Sequence, residues 1–485
     1  MDVVGVLLNS YELILESSEY NQVQSKGKGK MELTIPPCFK PYDIRGRVPD
    51  ELNAELAAKI GRAFATVFKL KKVVVGRDIR LSSEEIVSAL AAGLQDTGVE
   101  VLDLGLCGTE EIYHAAFSME KSGVDGGVIV TASHNPADYN GMKFVIRGAR
   151  PVTEDSGLKE MAEMIVSDAL PPKQEKAGKI KNINNKEKYI EHLLTYIDTE
   201  KLKPLKIVVN SGNGCAGAVI DLLEPYLPFT FIKMHHQPDG NFPNGVPNPL
   251  LLENREETAE MVKKYGADMG IGWDGDFDRC FFWDEKGEFI EGYYIVGLLA
   301  VEMLKKAVGA KILYDPRLIW NSEELIREAG GVPVMTRTGH AFIKERMRQE
   351  DAVYGGEMSA HHYFRDFGYC DSGMIPWLLI AALLSKCGVN LSELVADRVA
   401  AFPVSGEINN RVDDPDAIIA GVERAYSEGS KEYTDGVSIA FPDFRFNIRK
   451  SNTEPLLRLN VESRGDVKLM REKTEDILRL IRNKV

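Results

Sequence analysis

Along residues 52–105 the apolar positions alternate between two spacings. In "LNAELAAKIGRAFATVF" (52–68) they recur at helical intervals, and "KKVVVGRD" (71–78) is a short β-branched run broken by glycine. "SSEEIVSALAAGLQDTG" (82–98) opens with Ser-x-x-Glu, the pattern of a capping box, and closes on glycine; "VEVLDLG" (99–105) is strand-like again. A strand–helix–strand succession predicts a largely parallel sheet. It restarts at "LKIVVNSGNGCAG" (205–217) and at "AKILYDPR" (310–317), which predicts three α/β units. The stretch 170–188, rich in Pro, Lys and Asn, reads as the linker between the first two. The last part differs: "GVSIAFPDFRFNIRKS" (436–451) and "LLRLNVES" (456–463) are strand-like and 467–483 is helical, so a smaller α+β unit is expected. The expected units are 33–184, 185–288, 289–400 and 401–485. Residues 1–32 precede them as an extension without chemistry, polar over 17–30, and Met31 is expected to be the true start.

A chain of 485 residues is too long for one core, which agrees with several units. Its 44% hydrophobic and 27% charged residues belong to a globular protein, and no apolar run approaches the roughly 20 residues of a membrane span. A net charge of −14 disfavours nucleic acid and anionic membrane as partners, because the general field repels both. An anionic substrate would need arginines and lysines gathered locally. The six cysteines are scattered without a CxxC pair, which reads as reduced thiols in a cytoplasmic protein.

Four polar loops, each following a strand-like run, carry candidate chemistry. "TASHNPADYNGMK" (131–143) offers the hydroxyl of Ser133. Neighbouring side chains on an extended chain point apart, so Ser133 is not expected to use His134 as a base. No G-x-S-x-G elbow surrounds it, and its ordinary alternative is a helix cap. "GWDGDFDRC" (272–280) alternates Asp274, Asp276 and Asp278, which on an extended segment share a face. Three converging carboxylates repel unless a cation sits between them, and hard oxygen donors suit Mg²⁺; the alternative is a solvated acidic turn. "GGEMSAHHYF" (355–364) offers Glu357 and Ser359 for vicinal sugar hydroxyls and His361 for proton exchange near neutral pH, or else a histidine satisfied by backbone. "RKSNTEPLLR" (449–458) gathers Arg449, Ser451, Asn452 and Thr453, with Arg458 closing the stretch. A guanidinium fork, two hydroxyls and an amide fit a phosphate dianion and supply the local positive site that an acidic chain needs; the alternative is a basic turn with a cap. In addition, "PYDIRG" (41–46) places Arg45 before a glycine, and "RTGHAFIK" (337–344) places Arg337 and His340 near Lys344.

In their order and separations, "TASHNP", "DGDFDR", "GEMSAHH" and "RKSNTEP" resemble the α-D-phosphohexomutase family. The likeness runs from about Phe39 to the C-terminus and includes "YDIRG", "DGNFPNG", "GYYIVGLL" and "RTGHAFIKERM". It is greatest to bacterial members serving GDP-mannose synthesis. It implies three similar mixed-sheet α/β domains and a TBP-like α+β fourth around a central cleft. It implies Ser133 as a phosphoserine and Asp274, Asp276 and Asp278 as Mg²⁺ ligands, with the Ser133 phosphate as a further ligand and Arg279 beside them. Glu357 and Ser359 match sugar-hydroxyl readers, with His361 next to them. Arg449, Ser451, Asn452 and Thr453, with Arg458, match a distal phosphate clamp. Arg45, Lys143 and His340 match polar groups around the reacting phosphoryl. Two departures stand out: Ala360 where glycine is usual, and Glu291-Gly292-Tyr293 where many members have Gly-Asp.

The implied reaction interconverts mannose 1-phosphate and mannose 6-phosphate through phosphoserine 133 and a hexose 1,6-bisphosphate, which also serves as activator. Glucose, or both sugars, is the alternative substrate. The general base is one of His361, Lys143 and His340, and the molecule is expected to be a monomer or weak homo-oligomer. Two other classes compete. A phosphatase using an aspartyl-phosphate in "DGDFD" would need Asp274 but not Ser133. A non-catalytic sugar-phosphate-binding protein would keep the clamp without needing the aspartates and the serine loop together.

Overall fold

The computed structural model describes residues 35–450 and 456–482. The expected extension 1–32 and the clamp candidates Ser451, Asn452 and Thr453 lie outside the described residues. The first unit comprises β1 (Ile44–Arg47), α1 (Ala54–Val67), β2 (Lys72–Arg77), α2 (Ser83–Asp96), β3 (Glu100–Leu106), α3 (Thr109–Ser118), β4 (Gly126–Val130), β5 (Tyr139–Ile146), β6 (Arg150–Pro151), α4 (Leu158–Val166) and β7 (Ile180–Asn182). Asn53 caps α1 by accepting from Leu56 N at 3.0 Å, and the helix buries Ala57, Ile60, Ala63 and Phe64. The capping box expected at Ser82 is not formed. Instead Ser83 Oγ donates to Asp78 and Ser82 Oγ accepts from Asn140, because both hydroxyls face the network beneath the Ser133 loop.

The second unit runs α5 (Lys186–Leu194), β8 (Lys206–Asn210), α6 (Ala216–Leu223), β9 (Thr230–Met234), α7 (Glu256–Tyr265), β10 (Met269–Trp273), β11 (Cys280–Trp283) and β12 (Phe289–Ile290). The third runs α8 (Gly292–Lys306), β13 (Lys311–Tyr314), α9 (Trp320–Glu328), β14 (Val332–Met335), α10 (His340–Glu350), β15 (Tyr354–Gly356), β16 (His362–Phe364), β17 (Cys370–Asp371), α11 (Met374–Cys387) and α12 (Leu391–Ala401).

All three units repeat one sheet plan. Three parallel strands stand in the orders β3-β2-β4, β9-β8-β10 and β14-β13-β15. Two antiparallel strands follow: β5 and β1, β11 and β12, β16 and β17. The sheets are therefore mixed rather than largely parallel. The physical reason is the connection after the third parallel strand, residues 131–138, 274–279 and 357–361, which is too short for a crossover and must turn back as a hairpin. These three turns are the chemistry-bearing loops singled out in the sequence, and they occupy the same place in each unit.

The fourth unit has β18 (Val404–Arg411), α13 (Pro415–Ala425), β19 (Ser430–Glu432), β20 (Val437–Ala440), β21 (Phe444–Lys450), β22 (Leu456–Ser463) and α14 (Val467–Arg482). Its sheet is antiparallel in the order β18-β22-β21-β20-β19. Over the described part of the run, 436–450, the chain forms two strands parted at Phe441–Asp443 by a bend. One apolar core passes without a break from Val74 through Trp273 and Trp377 to Phe402, so the first three units share it. The fourth has its own core around Val422, Phe446, Leu459 and Ile477. It meets the third through buried polar groups: Glu462 accepts from Arg445 at 2.8 Å, from Tyr293 OH and from Ile319 N at the start of α9. The six cysteines carry free thiols. Among the described residues no single helix is long and apolar enough to cross a membrane; α11 is apolar because it is enclosed on nearly all sides.

Glu110, at the start of α3, ties the first unit to the third. It is fully buried and accepts from Tyr189 OH, from Ser372 Oγ at 3.0 Å and from the first-turn amides of α11, Gly373 N and Met374 N. Burial pushes its pKa up to about 8. Glu110→Ala would strand these donors in the interior and is expected to lower stability by about 3 kcal/mol, read as an earlier midpoint in urea.

Candidate active site

The loop after β4 is built around Ser133. Its φ of +49° is left-handed, and its side chain is buried. Arg80 fastens the loop from below. Its Nη2 donates to Ser133 O at 2.8 Å and Asn135 O at 2.6 Å, and its Nη1 to Pro136 O at 2.6 Å and Tyr139 O at 3.0 Å. Asp78 completes the frame by accepting from Thr131 Oγ1 at 2.7 Å, while Thr131 Oγ1 accepts from Ser133 N at 2.9 Å. Phe242, from the "DGNFPNG" stretch, lies under the Arg80 guanidinium at 5.4 Å. Ser133 sits in a strand–strand turn, so it does not cap a helix. It does touch His134: Oγ and Nδ1 are 3.0 Å apart, contrary to the expectation for an extended chain, because the left-handed turn rotates the two side chains together. Burial, with Arg279 and Arg45, holds the His134 pKa well below the usual value, so the ring is neutral. Arg45 reaches the same loop from β1, donating to Asn135 Oδ1 at 2.6 Å.

Ser133 Oγ donates to Asp274 Oδ2 at 2.8 Å. The three aspartates do not share the face of an extended strand; they converge because residues 274–279 turn, with Phe277 at φ +46°. Gly275 permits the approach, since a Cβ there would lie 2.6 Å from Ser133 O. One ligand oxygen from each aspartate falls within 4.8 Å of the others, and all three residues are buried. Lys143, on β5, donates to Asp276 at 2.7 Å and Asp278 at 2.6 Å. Arg279 Nε stands 3.5 Å from Asp274, and Thr109 Oγ1 bonds Asp276. Burial and the other two carboxylates push Asp274 up to about 7, while burial is outweighed at Asp278 by Lys143 and His361, which lower its pKa. Asp276 Oδ1 and Asp278 Oδ1 remain buried without a protein donor. Three converging buried carboxylates with orphaned hard oxygens are the donor set of a small divalent cation, so these residues fit Mg²⁺.

The loops of the second and third units join directly. Arg279 and His361 form a β-bridge, and Cys280 N donates to Ala360 O at 3.2 Å. Ala360 has φ +70°, which explains what glycine would do there; the alanine is accommodated at a cost of about 1 kcal/mol. His361 Nδ1 lies 2.9 Å from Asp371 Oδ2 and 3.9 Å from Asp278 Oδ1, and Lys344 Nζ lies 2.6 Å from Asp371 Oδ1. Burial and Arg279 oppose charge on His361, but Asp278 and Asp371 outweigh them and raise its pKa. His340, at the start of α10, is lowered by burial and Lys344. His362 points the other way, to Tyr354 OH at 2.7 Å.

At the other end of the same short loop, Glu357 accepts from Tyr363 OH at 2.7 Å and Gly339 N at 3.0 Å. Arg317 Nη2 donates to Ser359 Oγ at 3.1 Å. Arg317 is paired with Asp315 at 2.8 and 3.0 Å and reaches Glu407, which also contacts Arg449 and Arg458. The structure thus places Ser133, the aspartates, Lys143, Arg45, Arg279 and His361 in one cluster. Glu357, Ser359, Arg449 and Arg458 form a second, and loop 357–361 joins the two. Arg80, Arg317, Asp371 and Glu407 were not singled out in the sequence, whereas Lys344 was, in "RTGHAFIK". Of those four, only Arg317 carried a signal, as a cation at the end of the strand-like "AKILYDPR".

Comparison with known proteins shows the family. Models of phosphoglucomutase/phosphomannomutase alpha/beta/alpha domains I, II and III match residues 37–171, 187–287 and 291–402, and the model of the C-terminal domain matches 407–479. A phosphomannomutase of Salmonella montevideo is 59% identical over 452 residues, covering 92% of this chain and 98% of that protein. The phosphomannomutase of Escherichia coli K12 is 58% identical over 452 residues, covering 92% and 98%. A crystal structure of a phosphoglucomutase/phosphomannomutase family protein from Burkholderia thailandensis superposes with a TM-score of 0.82 at 32% identity, covering 92% of this chain and 97% of that one.

Proposed function

The chain belongs to the phosphoglucomutase/phosphomannomutase family, an enzyme of the isomerase class, and we propose that it interconverts mannose 1-phosphate and mannose 6-phosphate through a phosphate carried on Ser133. The observation that carries this reading is the Ser133 hydroxyl, 2.8 Å from Asp274 at the edge of a carboxylate cluster on a loop tied by four carbonyls to one arginine. A serine ester is a good store for a phosphoryl group, and its transfer requires mainly alignment and charge neutralisation.

In the forward direction O6 of a hexose 1-phosphate bonds to phosphorus as the Ser133 Oγ–P bond breaks, the O6 proton passing to a base and from it to the departing Ser133 Oγ, which returns it when it attacks in the second half. The bisphosphate then turns over in the site. Ser133 Oγ attacks the phosphorus at C1, the O1–P bond breaks, and O1 takes the proton back. Lys143, 2.7 and 2.6 Å from Asp276 and Asp278, supplies positive charge at the reacting phosphoryl. His361, steered by Asp371, is the better proton carrier, and His340 stands behind it. Asp274, Asp276 and Asp278 would hold Mg²⁺, which when bound neutralises charge on the transferring group. Glu357 and Ser359 face the sugar hydroxyls, and Arg449 and Arg458, with Ser451, Asn452 and Thr453, take the phosphate that is not reacting. A location in the cytoplasm and a product feeding GDP-mannose synthesis accompany this reading.

The test is kcat/KM on mannose 1-phosphate and glucose 1-phosphate side by side, with Mg²⁺ and a trace of hexose 1,6-bisphosphate. A preference for mannose is expected. Comparable rates would mean dual specificity, and no turnover of either by Ser133-phosphorylated protein would overturn the neutral-hexose assignment. Chelation of divalent ions is expected to abolish turnover and Mg²⁺ to restore it, since without a cation the clustered carboxylates repel the phosphoryl group instead of holding a charge that neutralises it.

A further inference from the structure

We propose that Glu407 is a competing anion inside the phosphate clamp: its carboxylate occupies guanidiniums that an arriving phosphate needs, and so limits how tightly a phosphate is held. The sheet register creates the need for an anion at this point. Arg449 on β21 lies directly opposite Arg458 on β22. Like charges facing each other across an antiparallel pair repel. Glu407, from the neighbouring strand β18, resolves the repulsion. Its Oε2 is 3.2 Å from Arg449 Nη2, its Oε1 3.3 Å from Arg458 Nη1, and its Oε2 3.4 Å from Arg317 Nη1. One carboxylate therefore collects cations from the third and fourth units, and the three arginines keep it ionised, with its pKa drawn down to about 2.

The three cations depend on it unequally. Arg317 is already paired in two contacts with Asp315. Among the described residues, Arg449's other partners are Thr338 Oγ1 at 3.3 Å and Asp435 at 3.8 Å, both longer contacts than its bond to Glu407. A phosphate dianion bonds guanidinium groups more strongly than a carboxylate does, so it can take Arg449 and Arg458 from Glu407. It binds, however, by displacing an anion rather than by entering an empty fork. In the reaction proposed above, on which this inference rests, the clamp must grip each end of a bisphosphate in turn and release it. A clamp without an internal competitor would hold the intermediate too long.

The experiment measures inorganic phosphate binding by calorimetry on the full chain, comparing the wild type with Glu407→Gln, which keeps the shape and removes the charge. Arg449→Gln identifies the clamp's share of the heat as the part that it abolishes. Glu407→Gln is expected to tighten that part about fivefold, the scale of one partly screened charge at contact distance. KM for hexose 1-phosphate should fall in step, and kcat should fall because release slows. Unchanged or weaker phosphate binding overturns the proposal and makes Glu407 a brace. If Glu407→Gln does not fold, Glu407→Asp, whose carboxylate is drawn back by one methylene, should tighten phosphate in the same direction; no tightening there counts equally against it. Tighter phosphate in a protein that turns over no hexose phosphate would leave the competition standing and remove the mutase. Normal turnover with no tightening would do the reverse.

Discussion

Ser133→Ala is expected to lower kcat/KM for mannose 1-phosphate by about 10⁴-fold or more, and to remove the protein-bound phosphate from the mass of the intact chain. Every step of the proposed cycle begins or ends on this oxygen, and a methyl group has nothing to carry. The substitution should leave the fold intact, because among the described residues Ser133 Oγ meets Asp274 and His134 alone, while the loop is held through main-chain carbonyls by Arg80. Stability is expected to stay within about 1 kcal/mol of the wild type. The same variant separates the competing classes. An aspartyl-phosphate enzyme would survive Ser133→Ala and lose its activity with Asp274→Asn. A mutase loses activity in both, the serine variant through loss of the carrier and the aspartate variant through the cation site.

The second large effect is expected at Arg80, which touches no reacting atom. Arg80→Lys should lower kcat about 100-fold while changing KM less than about threefold, because misplacement of the nucleophile loop by an ångström is felt in the transition state more than in binding. The buried guanidinium divides its bonds between two nitrogens and spans four carbonyls from Ser133 to Tyr139. A lysine brings one nitrogen with three donors at a point, so at least one buried carbonyl loses its partner, at about 1–3 kcal/mol. The split between kcat and KM, measured where circular dichroism shows the variant folded, distinguishes a positioning role from mere destabilisation. Equal effects on both would count against it.

These two residues mark the boundary of what the sequence reveals. Ser133, the three aspartates and the Glu357–His361 loop were legible because each lies in a short polar stretch after an apolar strand, and composition within a few residues is what a sequence displays directly. Arg80 lies in "GRDIR" and Glu407 in "SGEINN", stretches with nothing to set them apart. Their partners are carbonyls 53 to 59 residues away for Arg80 and guanidiniums 42 and 90 residues away for Glu407. Asp371 likewise becomes part of the site only when β17 lies antiparallel to β16 and brings it to His361.

The backbone leaves its ordinary state in the Ser133 loop and in the aspartate loop. Extended geometry turns Ser133 and His134 apart, but with Ser133 left-handed they touch; Asp274, Asp276 and Asp278 converge as expected, through a turn with Phe277 left-handed and not along one face of a strand. By itself, then, the sequence determined the α/β units, the smaller C-terminal unit and the loops that hold the candidate reactive groups, because helical and strand periodicity and loop composition are local properties. The tertiary structure alone decided that the three loops are equivalent hairpin turns of one repeated sheet plan. It alone decided which charges face one another inside them, since a charged side chain is defined by partners that only the folded chain brings within hydrogen-bonding distance.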